Sequence, residues 1–394
     1  MPLLDFPNEL LLFVAASLPR PRHLYALLRA NQRLSHLLLP LLRRLALADK
    51  DGMNALLWAA LHGHTGLIAQ TLAAGFTINM RGHANPEDGK TPLYRAIQSG
   101  CLAAVELLLA RGADPHIPTF TYATPLHEAA AYGSEEMVAL ILAAVGDVDL
   151  TVDTHQSTAL HWAAAAKRTA NLRFILIRSP RAPGYIDDKD LSDNTALHTA
   201  LALTTHRHST PPDDVVRLLL SRGALPNPIN NAGCTPLYLA AELGLPSTIA
   251  LLLAHGADPH ASGYSRHTPL HHVASGGDIK IAALLIDGGA SPAYPDQRGK
   301  TPLDLAYKYA ERNPSGVDML ELLLKRSEGI PVGGLVLCNI LWWASGDELE
   351  NIVRLLLRRI THFRNETVMQ WAVRRKDQMV IRVLQEMQNE GEKS

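Results

Sequence analysis

The chain has 394 residues, 37 of them Lys or Arg and 38 Asp or Glu, for a formal net charge of −1, which supplies no long-range field for nucleic acid or an anionic membrane. Its three cysteines, Cys101, Cys234 and Cys338, are widely separated and form neither a CxxC pair nor a disulfide framework, the usage of a reducing interior. The longest apolar run, GGLVLCNILWWASG, is too short to span a bilayer and the start does not read as a signal peptide, so a monomer in the cytoplasm or nucleus is expected.

The first predicted elements are about three short helices within residues 1–47. Leu10, Leu11, Leu12, Phe13 and Val14 are consecutive apolar positions. At about 100° per residue they point all round the helix, where a surface helix needs one apolar stripe. After the break PRP, Leu24, Leu27 and Leu28 recur at helical spacing, followed by Leu34, Leu37, Leu38, Leu41, Leu42 and Leu45. A segment this small rarely encloses its own core. It can lean on the adjoining chain along one side, and the surplus apolar faces predict a second partner.

From residue 50 a repeating unit takes over. TPLYRAIQSG begins at Thr91, TPLHEAAAYG at Thr124, TALHWAAAAK at Thr158, TALHTALALT at Thr195, TPLYLAAELG at Thr235, TPLHHVASGG at Thr268 and TPLDLAYKYA at Thr301. The steps between these threonines are 33, 34, 37, 40, 33 and 33 residues. A weaker copy starts at Asn54, and two degenerate ones at Asn339 and Thr367. In each unit the Thr suits a helix N-cap and the Pro after it the first helical position. Small pairs such as Ala129–Ala130 and Ala240–Ala241 allow neighbouring helices to approach closely. Sixteen residues after the Thr an apolar triplet such as Leu107–Leu109 or Leu251–Leu253 marks a second helix, which ends at Gly112, Gly256 or Gly289, where a left-handed residue is needed.

This pattern resembles the ankyrin repeat. The resemblance implies an all-α solenoid of helix–turn–helix units joined by β-hairpin-like fingers, in which no unit buries its apolar face alone. It also implies that His127, His161, His198 and His271, each three residues after its Thr, hydrogen-bond within and between fingers. The long steps mark insertions: TTHRHSTPPDD between two helices, SPRAPGY after a second helix, and MRGHANPEDG in an early finger. The expected organisation is 48–328 for about eight ankyrin repeats, 329–388 for two degenerate units closing the array, and 389–394 for a tail.

The N-terminal segment, 1–47, resembles a short F-box. Phe6-Pro7 stand where that family has Leu-Pro, Glu9-Leu10-Leu11 match its acidic–aliphatic–aliphatic step, Leu18 its next apolar anchor, and His23-Leu24 its Asp-Leu. Leu34 stands where a Trp is usual and Ala30-Asn31-Gln32 where Val-Cys-Lys is usual. The segment looks like the start of fungal proteins that join an F-box to ankyrin repeats. The resemblance implies docking on the Skp-type linker of a cullin–RING ubiquitin ligase through Pro7, Leu10, Leu11, Val14, Leu18 and Leu24. The array would then hold an unidentified client protein. The alternative is a plain ankyrin scaffold or inhibitor whose N-terminal helices are only a cap.

Candidate client-binding residues are Phe120, Tyr122 and Tyr132 in and beside one finger, and Tyr264 and Arg266 in another. Aromatic and Arg side chains are enriched in binding hot spots. Packing of the same rings on neighbouring fingers is the competing expectation. No nucleophile elbow, phosphate-binding loop or zinc-spaced His/Cys set is present, so no catalysis, metal or cofactor is expected. Asp187-Asp188 and Asp213-Asp214 read as solvated loops, and Trp342, Trp343 and Trp371 as core of the closing units.

Overall fold

The computed structural model describes residues 53–73, 75–82, 89–146, 151–178, 185–202, 212–262, 265–313, 316–327, 334–346, 349–358, 362–363 and 366–391. The expected F-box-like segment, with Pro7, Leu10, Leu11, Val14, Leu18 and Leu24, lies outside these residues, as do Tyr264 and most of the inserted loops. The chain divides into two compact units after Tyr185.

The first unit holds four helical pairs: α1 (Met53–Leu61) with α2 (Thr65–Ala73), α3 (Pro92–Gln98) with α4 (Leu102–Ala110), α5 (Pro125–Tyr132) with α6 (Glu135–Val145), and α7 (Ala159–Ala165) with α8 (Thr169–Arg178). First helices pack on first helices and second on second, so α1, α3, α5 and α7 form one layer and α2, α4, α6 and α8 the other. Between the layers lie Leu93, Ile97, Leu108, Leu126, Ile141 and Leu160, with the small residues Ala59, Ala60, Ala129, Ala130, Ala163 and Ala164 at the close crossings, all buried. Each buried aliphatic side chain contributes about 1.5–3 kcal/mol.

The second unit begins with α9 (Ala196–Ala202) and α10 (Asp213–Ser221), then α11 (Pro236–Glu242) and α12 (Pro246–Ala254), α13 (Pro269–Gly276) and α14 (Ile279–Asp287), α15 (Pro302–Ala310) and α16 (Gly316–Arg326). It closes with α17 (Gly334–Gly346), α18 (Glu350–Leu357), α19 (Val368–Arg375) and α20 (Gln378–Gly391). The second helices α10, α12, α14, α16, α18 and α20 pack in sequence. Arg354 bridges Glu350 and Glu386 across α18 and α20, at 3.2 and 2.7 Å.

Local chemistry explains the boundaries. Thr91 and Thr235 accept the amide of the residue three on, Tyr94 and Tyr238, each at 3.2 Å. Where that residue is His, the ring takes over the cap: His127 Nδ1 accepts the Thr124 amide at 3.1 Å, with the Thr124 hydroxyl 2.9 Å away. The same pair of contacts joins His161 to Thr158, His198 to Thr195 and His271 to Thr268. With Nδ1 accepting an N–H, the ring is in its Nε2–H form. That hydrogen is donated to the backbone carbonyl of the next finger: Ser157 for His127 at 3.0 Å, Cys234 for His198 at 3.1 Å, Lys300 for His271 at 3.0 Å. Second helices end as the glycine spacing predicts. Gly112, Gly256 and Gly289 have φ of 88°, 85° and 100°, and the next amide reaches back to Leu108, Leu252 and Leu285.

Among the described residues the strand pairing is that of β1 (His362–Phe363) with β2 (Glu366–Thr367), and the fingers at 153–157, 190–194, 230–234 and 296–300 are hairpin-like turns closed by a backbone bond from the first residue to the fifth. Two expectations are corrected. Asp213 and Asp187 are not solvated loop residues. Asp213 opens α10 and accepts the Thr248 hydroxyl at 2.5 Å, and Asp187 accepts the Leu225 amide at 2.9 Å. Of the three closing tryptophans, Trp371 is buried and Trp343 half-buried, but Trp342 is 47% exposed, with the Arg375 guanidinium 5.0 Å above its ring.

The histidines give two expected outcomes. His127→Ala strands the Thr124 amide and removes one of the two donors to the Ser157 carbonyl, and should lower stability by about 1–3 kcal/mol, read as a drop in thermal midpoint. His271 is held below its ordinary 6.5 first by burial and then by His267, against the opposing pull of the Lys300 carbonyl, Asp296 and Asp304. The unfolded chain therefore binds a proton at this site before the folded chain does, so the stability is complete above about 6.5 and falls as pH drops from there. His271→Gln should show a shallower loss of midpoint between neutral and mildly acidic pH than the wild type.

Candidate protein-binding surface

The finger turns are built on a polar residue five positions before the capping Thr. Asp153 Oδ1 accepts the amides of His155 and Ser157 at 2.8 and 2.9 Å. Asp190 does the same for Ser192 and Asn194, Asn230 for Ala232 and Cys234, and Asp296 for Arg298 and Lys300. The backbone closes the same turn: the amide of Asp153, Asp190, Asn230 or Asp296 reaches the carbonyl four residues on. Fingers are tied to one another by one backbone bond each, Thr154 to Thr121, Asn231 to Ser192 and Gln297 to Ser265. A second tie runs beneath them, where Asn79 accepts the Asp114 amide, Asn227 the Asp258 amide and His260 the Ser291 amide. These finger residues were missed in the sequence. Their signal is an Asp or Asn at a fixed five-residue offset before the Thr.

The fourth residue of the turn is left-handed in every finger described at this position. It is glycine at Gly89, Gly233 and Gly299, but Tyr122 (φ 59°), Gln156 (57°), Asp193 (57°) and Arg266 (50°) elsewhere. Two of the expected client-binding residues, Tyr122 and Arg266, therefore stand where glycine is favoured, a placement that costs about 1–2 kcal/mol for an L side chain.

The expected client-binding residues meet different surroundings. Tyr122 and Tyr132 are each 62% exposed. Phe120 is 40% exposed and lies against the neighbouring finger: a Cβ at Gly89 would come within 2.8 Å of its ring, and the Arg81 guanidinium sits 5.6 Å from its centroid. Arg266, in the second unit, stacks on Tyr294 at 5.6 Å. First helices add further groups to the finger side. Glu128 is buried, and burial raises its carboxyl above the usual range, partly offset by the Tyr94 hydroxyl that donates to it at 2.8 Å and by Lys90 and Arg95. Trp162 donates its indole N–H to Asp153 at 3.0 Å and meets His127 edge-on. In the second unit Tyr238 faces His267 and His272 edge-on.

The second unit also carries a groove of about 650 Å³ between fingers and first helices, whose lining includes His267, Asp296, Arg298, Lys300, Leu305 and Lys308. Among the described residues no group of three His, Cys, Asp or Glu side chains is placed to hold a metal ion, and no helix is long and apolar enough to cross a membrane.

Three substitutions at two positions separate the roles of the finger residues. Tyr122→Gly relieves an exposed side chain held in the left-handed region, so the thermal midpoint should stay or rise slightly. Asp153→Ala should lower stability by about 1–3 kcal/mol, since it strands two finger amides and the Trp162 N–H. Asp153→Asn keeps the acceptor for the two finger amides, as Asn230 does in its own finger, but sets an amide N–H against the Trp162 N–H, and should recover part of that loss.

Comparison with known proteins agrees with this geometry. A family model for ankyrin repeats in three copies matches residues 22–119, 115–183 and 181–263, and one for ankyrin repeats in many copies matches 252–306. Human B-cell lymphoma 3 protein is 33% identical over 163 residues, covering 40% of this chain and 34% of that protein. Human inversin is 28% identical over 246 residues, covering 60% of this chain and 22% of that protein. The chain thus spans about a third or less of the length of these relatives. The solved ankyrin repeat domain of Bcl-3, a member of the IkappaB protein family, matches with a TM-score of 0.50 at 31% identity, over 59% of this chain and 99% of that one. Repeat spacing, imidazole-capped first helices and these matches together show that the chain belongs to the ankyrin-repeat family.

Proposed function

We propose that this ankyrin-repeat scaffold works as an adaptor. Its fingers and first helices hold a client protein, and residues 1–47 dock on the Skp-type linker of a cullin–RING ubiquitin ligase. The observation that carries the client-binding half is the pair Tyr122 and Tyr132. Both rings are exposed, and Tyr122 occupies a left-handed position where the turn itself favours glycine. Strain retained at an exposed site points to use rather than to folding. The adaptor performs no bond chemistry; it supplies proximity.

The ligase half rests on the sequence of the N-terminal segment. The apolar run from Leu10 to Val14, with Pro7 before it and Leu18 and Leu24 after, is the stretch of sequence that resembles the linker-docking part of an F-box. A second reading has its own support: the family match begins at residue 22, inside this segment, as a diverged capping repeat would. In that case the protein is a scaffold or inhibitor without a ligase.

The two readings part in one experiment. The full chain and its Leu10→Asp/Leu11→Asp variant are mixed with a purified Skp-type linker and pulled down. The adaptor reading predicts binding by the wild type and none by the variant, with helical content unchanged. Binding by neither form supports the cap, and undiminished binding by the variant places the linker contact elsewhere. The adaptor reading also predicts at least about tenfold weaker retention of captured client proteins by Tyr122→Ala/Tyr132→Ala, with little change in thermal midpoint.

A further inference from the structure

The groove in the second unit has an uneven chemistry. Its three carboxylates are all engaged by the fold. Asp296 accepts the amides of Arg298 and Lys300, each at 2.8 Å. Asp304 accepts the Thr301 amide and hydroxyl, each at 2.8 Å, closing the cap of α15. Glu311 accepts the Tyr307 hydroxyl. The cations on the same walls are not used in this way. Arg298 and Lys300 on the finger and Lys308 on the first helix are exposed, and their side chains make no ion pair or hydrogen bond among the described residues. Burial holds His267 below its ordinary value, with His272 adding to the effect, so it brings no charge to the groove near neutral pH. Leu305, half-buried between the charged groups, gives the groove an apolar patch.

We propose that this groove takes an acidic segment of the client protein, its carboxylates paired with Arg298, Lys300 and Lys308 and an apolar side chain resting on Leu305. The proposal rests on the client-binding reading above and narrows the client to proteins with such a segment. Three pieces of chemistry favour it. Guanidinium and ammonium groups without partners gain most from a carboxylate, which offers Arg two parallel hydrogen bonds. The groove, about 650 Å³ between a finger and a helix, has the volume for a short extended peptide. The chain as a whole has a net charge of −1, so attraction is confined to this patch and does not extend to polyanions at large, as it would in a nucleic-acid binder. Carboxylates already held by N–H and O–H donors repel an incoming acid less than free ones would.

The test uses the full chain and three fluorescein-labelled probes: a peptide alternating Glu and Leu, the same peptide with Lys for Glu, and a single-stranded oligothymidylate. Fluorescence anisotropy should show binding of the Glu peptide that weakens with added salt, and little binding of the other two. Arg298→Glu/Lys300→Glu/Lys308→Glu should lose the Glu peptide by about tenfold or more and gain the Lys peptide. If that variant melts early, Arg298→Gln/Lys308→Gln, which only removes charge, should still weaken the Glu peptide severalfold. No binding of the Glu peptide by the wild type, equal binding by the variants, or oligothymidylate bound as tightly and through the same residues would each overturn the proposal. A wild-type chain that ignores the Glu peptide yet retains client proteins in a pull-down loses the groove and keeps the client-binding reading. A chain that retains no client loses that reading as well.

Discussion

In each unit with Thr-x-x-His, one neutral imidazole sits between two pieces of backbone. Its Nδ1 receives the amide at the start of a first helix, and in His127, His198 and His271 the Nε2–H reaches the carbonyl that closes the next finger, Ser157, Cys234 and Lys300. That bridge fixes the rise from unit to unit. It places each finger over the helix before it, and so sets where every exposed group on the finger side can stand. The ring must be neutral to do this, because a second proton would remove the acceptor. Burial lowers the pKa of His271 and keeps it in that form. Where the sequence has another residue at the same offset, the bridge changes character. Tyr94 and Tyr238 leave the cap to the Thr hydroxyl and reach sideways, to Glu128 and His272. Asp304 closes its own cap.

The repeat was legible in the sequence because its causes are local and periodic. A Thr that caps, a Pro in the first turn, an apolar triplet and a left-handed Gly each act within a few residues, and the structure has them where the spacing put them. The finger was less legible. Asp153, Asp190, Asn230 and Asp296 stabilise it through side-chain bonds to amides two and four residues on. Polar turn residues carry no hydrophobic period to draw attention to them. The hairpin-like finger closes by one backbone bond from its first residue to its fifth, and the side-chain acceptor holds the amides that this bond leaves over. Trp342 stands where His127 and His271 stand in their units, three residues after the start, yet it is exposed and lies under Arg375. An indole donates but cannot accept, so it cannot take the helix-start amide as the imidazoles do.

The candidate site was legible in its residue types and not in its environment. Aromatic and Arg side chains at finger tips are visible in the sequence. That Phe120 lies on the Gly89 turn and Arg266 on Tyr294, while Tyr122 and Tyr132 stay exposed, depends on contacts between residues about thirty apart, which only the fold supplies. The same holds for the groove. Asp296, Asp304 and Glu311 look in the sequence like equal partners of Arg298, Lys300 and Lys308, and the structure commits them to caps and turns instead. A scaffold that binds through such a face needs the face to exist before the partner arrives, since ordering it at the moment of binding would reduce affinity.

That requirement can be measured directly by amide hydrogen exchange on the free full-length chain. A prebuilt face predicts slow exchange, close to that of the neighbouring helices, at the finger amides of Ser157, Asn194, Cys234 and Lys300, each held by a side-chain oxygen of its own turn. Exchange of these amides at the rate of an unstructured peptide, with the helices still protected, would contradict it: the fingers would then not be a surface formed in advance of the partner.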